Sequence, residues 1–268
     1  MRVGMLGAGV GRRLGQERPP PKILLEFGGQ TLLARHVAIL RARGVERMDL
    51  VVGYRAEDVR AEISRIGAGD LIRTHFNAHF EEGAIVSFAT LGAAVGDAAV
   101  PGGEPVIFMD GDVLYDHRLM ERLIDAEAES CFLMDRATEE GDDPVRLCMR
   151  GTELVDFHKR PRLAHEWWGE WIGFCRFAPD IAAKCFAAAD EIVRAGRREA
   201  IYEDAIREVV VSEPAGTFGV EDITGLPWVE IDYPEDLERA RREIFPMLAD
   251  PAGPVAADDS RAAGQGGA

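Results

Sequence analysis

LGAGVGRRLG at residues 6–15, followed by PPPKILLEFGG at residues 19–29, is the stretch on which the fold turns. A short apolar run at residues 2–6 (RVGML) precedes it and reads as a strand, so the glycines fall where a strand gives way to a loop. Gly7, Gly9 and Gly11 let backbone N–H groups approach a phosphate chain closely. Arg12, Arg13, Arg18 and Lys22 stand there against a single acid, Glu17. The whole chain carries a formal charge of -16, so this local inversion marks an anion site. Two other phosphate loops fit poorly. A dinucleotide loop needs G-x-G-x-x-G opening a helix directly, but the third position is Arg12 counted from Gly7 and Leu14 counted from Gly9. The second strand also ends in Gly53-Tyr54, with no acid to hold a ribose. The G-K-[ST] of a Walker loop is absent.

Outward from the loop, strand and helix alternate. Residues 31–43 space apolar positions at helical intervals, and Gly44 stops them. Strands are expected at 48–53, 71–76 and 105–110, with helices at 56–66, 83–95 and 117–129. This rhythm predicts a mostly parallel sheet covered on both faces. After about residue 130, CFLMD, VRLCMR and ELVDFHK read as closely spaced strands, so antiparallel pieces extend the sheet. EWIGFCRF (170–177) is one more strand, helices follow near 180–195 and 199–210, and WVEI (228–231) precedes a final helix. The domain is expected to span residues 1–249. Residues 250–268, rich in Ala, Gly, Pro and Asp, read as a disordered tail.

The composition limits the partners. At 268 residues the chain suits one large α/β domain or two small ones. A charge of -16 opposes nucleic acid and anionic membranes. No apolar run is long enough for a membrane span, and the first residues, broken by glycines and arginines, do not read as a signal peptide. A cytoplasmic enzyme with buried, reduced Cys131, Cys148, Cys175 and Cys185 is the expectation. A homodimer is among the assemblies allowed.

FMDGDVLYD (108–116) lies where an apolar strand runs out into a loop. Ligands of open α/β sheets sit at such carboxyl ends. Asp112 suits Mg²⁺, which takes one or two carboxylates plus phosphate oxygens and water. Asp110, nearer the strand core, can orient a neighbour by hydrogen bonding. WVEIDYPEDLERA (228–240) places Asp232 where a strand ends and a helix begins. There Asp232 could simply cap the helix, with Glu235 completing an approximate capping box.

Together these segments resemble the nucleotidyltransferases of glycosyltransferase-A-like fold. Gly9-Val10-Gly11-Arg12-Arg13-Leu14, then Pro21-Lys22, is similar to their G-x-G-x-R-[LM]…P-K signature, with Gly7 where the family usually has Ala. The resemblance implies a three-layer α/β/α fold with a mixed, mostly parallel sheet. It implies Arg13, Lys22, Asp112 and Asp232 as catalytic residues, with Asp112 and Asp232 as Mg²⁺ ligands. It implies a nucleotide site of Leu6, Gly7, Ala8, Gly9, Gly11, Arg12, Arg13, Lys22, Ser87 and Asp110. The reaction is then attack of a small phosphorylated acceptor on a nucleoside triphosphate, with loss of pyrophosphate. The charges would position and neutralise, and no protein nucleophile is needed.

The second half resembles the cytidylyltransferase branch, which acts on phosphocholine or phosphonates. Lys159 in ELVDFHKRP is similar to a lysine that meets the acceptor phosphate. Trp168 precedes Gly169-Glu170-Trp171-Ile172-Gly173, which is similar to the branch's [AG]-E-[YWF]-I-G segment, and Tyr202 and Asp204 lie in a Y-E-D segment. Aromatic faces with carboxylates suit an ammonium head through cation–π attraction and ion pairing. CTP and a phosphocholine-like or 2-aminoethylphosphonate-like acceptor are therefore expected. The branch's Asn-Asn-x-x-Ser-Leu segment is replaced by Glu82-Gly83-Ala84-Ile85-Val86-Ser87-Phe88, where Ser87 alone is clearly shared. A sugar-1-phosphate uridylyl- or thymidylyltransferase is the nearest alternative. A nucleotide-binding domain without turnover is the alternative from another class.

Overall fold

In β1 (Arg2–Gly7), Val3 and Met5 point to one face, Gly4 and Leu6 to the other, and both faces are covered. The computed structural model describes residues 1–15, 17–96, 103–137 and 144–249. The expected tail, residues 250–268, lies outside the described residues. After the loop, the hairpin β2 (Glu26–Phe27) and β3 (Gln30–Thr31) leads to α1 (Leu32–Ala42). Thr31 caps α1 by accepting the N–H of Ala34 at 3.0 Å, and Gly44, at φ 71°, turns the chain beyond its end. There follow β4 (Arg47–Val52), α2 (Ala56–Arg65), β5 (Ile72–Phe76), α3 (Ala84–Val95), β6 (Val106–Asp110), β7 (Val113–Tyr115), α4 (His117–Asp125) and β8 (Ser130–Asp135). The second half adds β9 (Arg146–Arg150), β10 (Glu153–His158), β11 (Trp167–Phe177), α5 (Pro179–Arg194), α6 (Glu203–Ser212), β12 (Phe218–Asp222) and β13 (Trp228–Glu230). The chain closes with α7 (Pro234–Arg239), a π-helical turn (Ala240–Ile244) and α8 (Phe245–Met247).

The main sheet runs β10-β9-β11-β6-β1-β4-β5. Its β6-β1-β4-β5 half is parallel, while β11 joins β6 and β9 antiparallel and carries β8 along its opposite edge. Helices α3, α5 and α6 cover one face of the sheet, and α1, α2 and α4 the other. The fold is thus three-layer α/β/α with a mixed, mostly parallel sheet. No helix among the described residues is long and apolar enough to cross a membrane. All the cysteines are free and buried.

Element boundaries moved in a few places. The helix expected over 117–129 ends at Asp125, where Ala126 turns extended (ψ 140°). The helix expected from 199 starts at Glu203, and the strand expected from 170 reaches back to Trp167. β7 and β12 carried no clear signal of their own. Each is short, and each becomes a strand by pairing with a distant partner, β13 for β7 and β8 for β12.

Candidate active site

The carboxyl ends of β1 and β6 lie side by side, with Leu6 opposite Asp110 in the parallel ladder. The N–H of Gly111 donates to the Leu6 carbonyl at 2.9 Å, tying the Asp110-Gly111-Asp112 turn to the start of the glycine loop. A Cβ at position 111 would lie 2.8 Å from that carbonyl, so the turn needs glycine. The β7–β13 ribbon sets Val113 opposite Glu230, and the N–H of Ile231 donates to the Asp112 carbonyl at 3.1 Å. Two distant carboxylates, Asp112 and Asp232, are thereby brought together.

Lys22 lies between them. Its ammonium donates to Asp112 Oδ2 at 2.9 Å and, more closely, to Asp232 Oδ1. Arg13 donates to Asp232 Oδ2 at 2.9 Å. Burial pulls the pKa of Lys22 down, but the charges of Asp112 and then Asp232 outweigh it and raise it above the usual lysine value. Burial likewise works against the charge of Asp232, yet Lys22 and Arg13 hold its pKa below normal. Asp232 is not the helix cap. Tyr233 takes that position, and Asp236 accepts the N–H groups of Asp232 and Tyr233 at 2.9 and 2.7 Å. The Asp232 side chain is left to the site.

Glu230 joins the pair, for oxygens of Asp112, Glu230 and Asp232 all lie within 4.8 Å of one another. Such a set of hard, anionic oxygens fits a divalent cation of the magnesium type. Those of Asp112 and Asp232 are also the acceptors of Lys22, so an ion and the ammonium compete for them. Glu230 opens into the cleft but is crowded by protein around it. Desolvation first, then Asp112 and Asp232, raise its pKa to about 8. Its position two residues before Asp232 was the available signal, since period-2 alternation puts both on one side of the chain.

From this cluster a cleft of about 440 Å³ runs in two directions. Toward the glycine loop it is lined by Leu6, Ala8, Gly9, Gly11, Arg12, Arg13 and Ser87, together with Phe80 and Glu81, which the motifs did not mark. Gly7 and Lys22 line the adjoining pocket at the loop. Ser87 accepts from Asn77 Nδ2 at 3.0 Å. In the other direction lie Asp110, Lys159, Ile201, Tyr202 and Glu203. The Tyr202 hydroxyl donates to Asp110 Oδ2 at 2.5 Å. Desolvation, then Asp112 and Glu230, push the pKa of Asp110 well above the normal carboxylate value. Glu203 is 7% exposed, and burial raises its pKa to about 7 against the pull of Lys159.

Four expected acceptor residues do not line this cleft. Trp171, 4% exposed, is a core residue. It packs among Phe108, Phe132, Phe157 and Tyr202, and its Nε1–H donates to the Phe174 carbonyl at 2.8 Å. Trp168 lies out along β11 with the Arg146 guanidinium 4.5 Å from its ring centroid, so a cation already covers that ring. Glu170 stands in the ladder between Arg146 and Asp135. Asp204 is turned to His158, whose Nε2 lies 3.1 Å from its carboxylate. The neighbour Glu203 takes the place expected of Asp204, because one helical step rotates a side chain by about 100°.

The family model of the MobA-like NTP transferase domain matches residues 4–165. The chain is 27% identical over 253 residues to the bifunctional IPC transferase and DIPP synthase of Rubrobacter xylanophilus, an overlap of 92% of this chain and 52% of that protein. It is 24% identical over 254 residues to the CMP-5'-(3-aminopropyl)phosphonate synthase of Streptomyces rubellomurinus, an overlap of 92% and 39%. The chain therefore spans about half or less of the length of these curated relatives. Among solved structures, the inositol-1-phosphate CTP transferase of T. maritima superposes with a TM-score of 0.69 at 18% identity, covering 92% of this chain and 94% of that one. The CTP:phosphocholine cytidylyltransferase of Streptococcus pneumoniae gives 0.67 at 17%, covering 89% and 96%. At these identities the structural likeness speaks for the fold.

Proposed function

The chain belongs to the MobA-like NTP transferase domain family, and from that premise we propose that it transfers CMP from CTP to a small acceptor bearing a phosphate or phosphonate and an ammonium group. The observation that carries the reading is the meeting of Arg13, Lys22, Asp112 and Asp232 at the mouth of the glycine loop. An acceptor oxygen attacks the α-phosphorus of CTP. The new O–P bond forms as the bond from the α-phosphorus to the bridging oxygen breaks, and pyrophosphate leaves with that electron pair. Lys22 and Arg13 offset the charge growing on the leaving group, and Lys159 meets the acceptor's phosphate or phosphonate. Asp112 and Asp232, with Glu230 beside them, would hold magnesium, which supplies charge neutralisation between the reacting phosphates. The backbone of Ala8–Gly11 with Ser87 would take the nucleotide.

For the acceptor end, Asp110 and Glu203 form an acidic wall beside Tyr202; burial raises the pKa of both, and an ammonium head brought against them would favour their ionised forms. Such a wall favours an ammonium head over a neutral one, and the aminopropylphosphonate named for one relative has this chemistry. The inositol phosphate named for a solved neighbour supports a second reading, in which the same carboxylates accept from hydroxyl groups.

The test is a matrix of CTP, UTP and dTTP against phosphocholine, 2-aminoethylphosphonate, inositol-1-phosphate and glucose-1-phosphate, read by pyrophosphate release. CTP with an ammonium acceptor should lead. Asp112→Asn and Asp232→Asn should each lower that turnover by about 100-fold or more without unfolding the chain. Preference for UTP or dTTP with glucose-1-phosphate would overturn the reading, as would tight triphosphate binding with no release in any pairing.

A further inference from the structure

Arg55 is the one non-glycine residue with positive φ among the described residues, at φ 47° and ψ 43°. That left-handed conformation is unfavourable for a side chain with a Cβ. Arg55 also occupies the N-cap of α2, where its side chain makes no capping hydrogen bond. Backbone and cap would both favour glycine or asparagine there. The guanidinium has another use. Its Nη1 donates to the Pro19 carbonyl at 3.2 Å, and its Nε is held by Asp58 at 2.5 Å. The Tyr54 hydroxyl donates to the same Pro19 carbonyl at 3.2 Å. The N–H of Tyr54 donates to the Ala8 carbonyl at 3.0 Å, and a Cβ on Gly53 would come within 3.0 Å of that carbonyl.

One turn at the end of β4 therefore grips both ends of the glycine loop, Ala8 at its entry and Pro19 near its exit. Beyond Pro19 come Pro20, Pro21 and then Lys22. Successive prolines have fixed φ and form a stiff strut, so a grip on Pro19 is transmitted to Lys22. We propose that Gly53-Tyr54-Arg55 is the brace of the phosphate loop, and that Tyr54 and Arg55 are positioning residues acting through Lys22. The part that concerns turnover rests on the nucleotidyl transfer proposed above; the brace itself does not.

Arg55→Gly and Tyr54→Phe in the full chain test this. Arg55→Gly relieves the backbone while removing the guanidinium, so thermal stability should be unchanged or raised. Trypsin should nonetheless cut after Arg12 and Arg13 about tenfold faster in the Arg55→Gly, Tyr54→Phe double variant than in wild type. The double variant should also lose about tenfold in kcat with CTP, magnesium and phosphocholine, with a smaller change in the KM for CTP. In a Lys22→Ala background the same pair should cost less than about twofold more, because the brace acts through that lysine. Wild-type cleavage rates would overturn the brace whether or not the chain turns over CTP. A loss that multiplies with that of Lys22→Ala, or one confined to KM, would overturn the action through Lys22.

Discussion

Glu203 and Asp204 are adjacent acids at the start of α6, and they face different partners. Glu203 is buried along the cleft near Lys159 and Tyr202, while Asp204 meets His158. The Tyr-Glu-Asp motif was legible in the sequence, but the phase of the helix decides which acid reaches a ligand. If Glu203 reads an ammonium head, Glu203→Gln should weaken use of phosphocholine by about tenfold, the scale of a charge-assisted contact, and leave the KM for CTP little changed. Asp204→Asn should cost markedly less. Competition between phosphocholine and a neutral alcohol phosphate in one assay measures the loss of preference. Equal losses in the two variants would show that the motif acts as a unit rather than through Glu203.

β11 shows what an element can hide. Its sequence reads plainly as a strand, and its tryptophans suggested a binding surface. Trp167, like Trp168, is covered by an arginine of the chain itself, with the Arg136 guanidinium 4.7 Å from its ring centroid. Between Trp171 and Cys175 the register against β8 slips, and Gly173 sits in the slip at φ 85°. A Cβ at this position would lie 2.7 Å from Asp110 Oδ2, so the irregularity makes room for a carboxylate of the cleft. Gly173→Ala should destabilise the fold by about 1–2 kcal/mol through the backbone alone. It should also lower turnover by displacing Asp110 and its Tyr202 partner. Urea unfolding and kcat measured on one preparation check both effects, and unchanged kcat would separate Asp110 from the chemistry. No local pattern announced the slip, since a register is a property of paired strands.

At the scale of the molecule, the helical layer that includes α1 presses His36, 1% exposed, beneath the Asp110-Gly111-Asp112 turn. Its Nε2 lies 3.1 Å from the Gly111 carbonyl and its ring stacks on Tyr115 at 5.5 Å. Burial disfavours the imidazolium and lowers the pKa of His36 to about 4, despite the opposing pull of the Gly111 carbonyl. In the unfolded chain the value returns to about 6.5. Between these values the unfolded chain takes up a proton that the folded chain refuses. Stability from this residue is therefore fully present above about pH 6.5 and declines as the pH falls toward about 4, by up to about 3 kcal/mol. His36→Gln should flatten the difference between urea midpoints at pH 7.5 and pH 5 relative to wild type. Parallel pH curves for the two proteins would assign the acid sensitivity elsewhere.

By itself the sequence determined most of the alternation of strands and helices, the covered sheet and the inverted charge of the glycine loop, while Lys22, Asp112 and Asp232 stood out as a candidate cluster through their resemblance to a family's motifs. The alternation, the covered sheet and the charge are written in local composition, periodicity and spacing, which a chain carries before it folds, whereas the cluster was legible only as motifs shared with the family. Only the tertiary structure decided that Glu230 joins the carboxylates, that Glu203 rather than Asp204 lines the cleft, that Trp171 belongs to the core, and that Tyr54 and Arg55 reach Pro19. Each of these depends on the register of a ladder, the phase of a helix or the meeting of two turns. Packing between residues far apart in the chain sets those quantities, and no stretch read alone contains them.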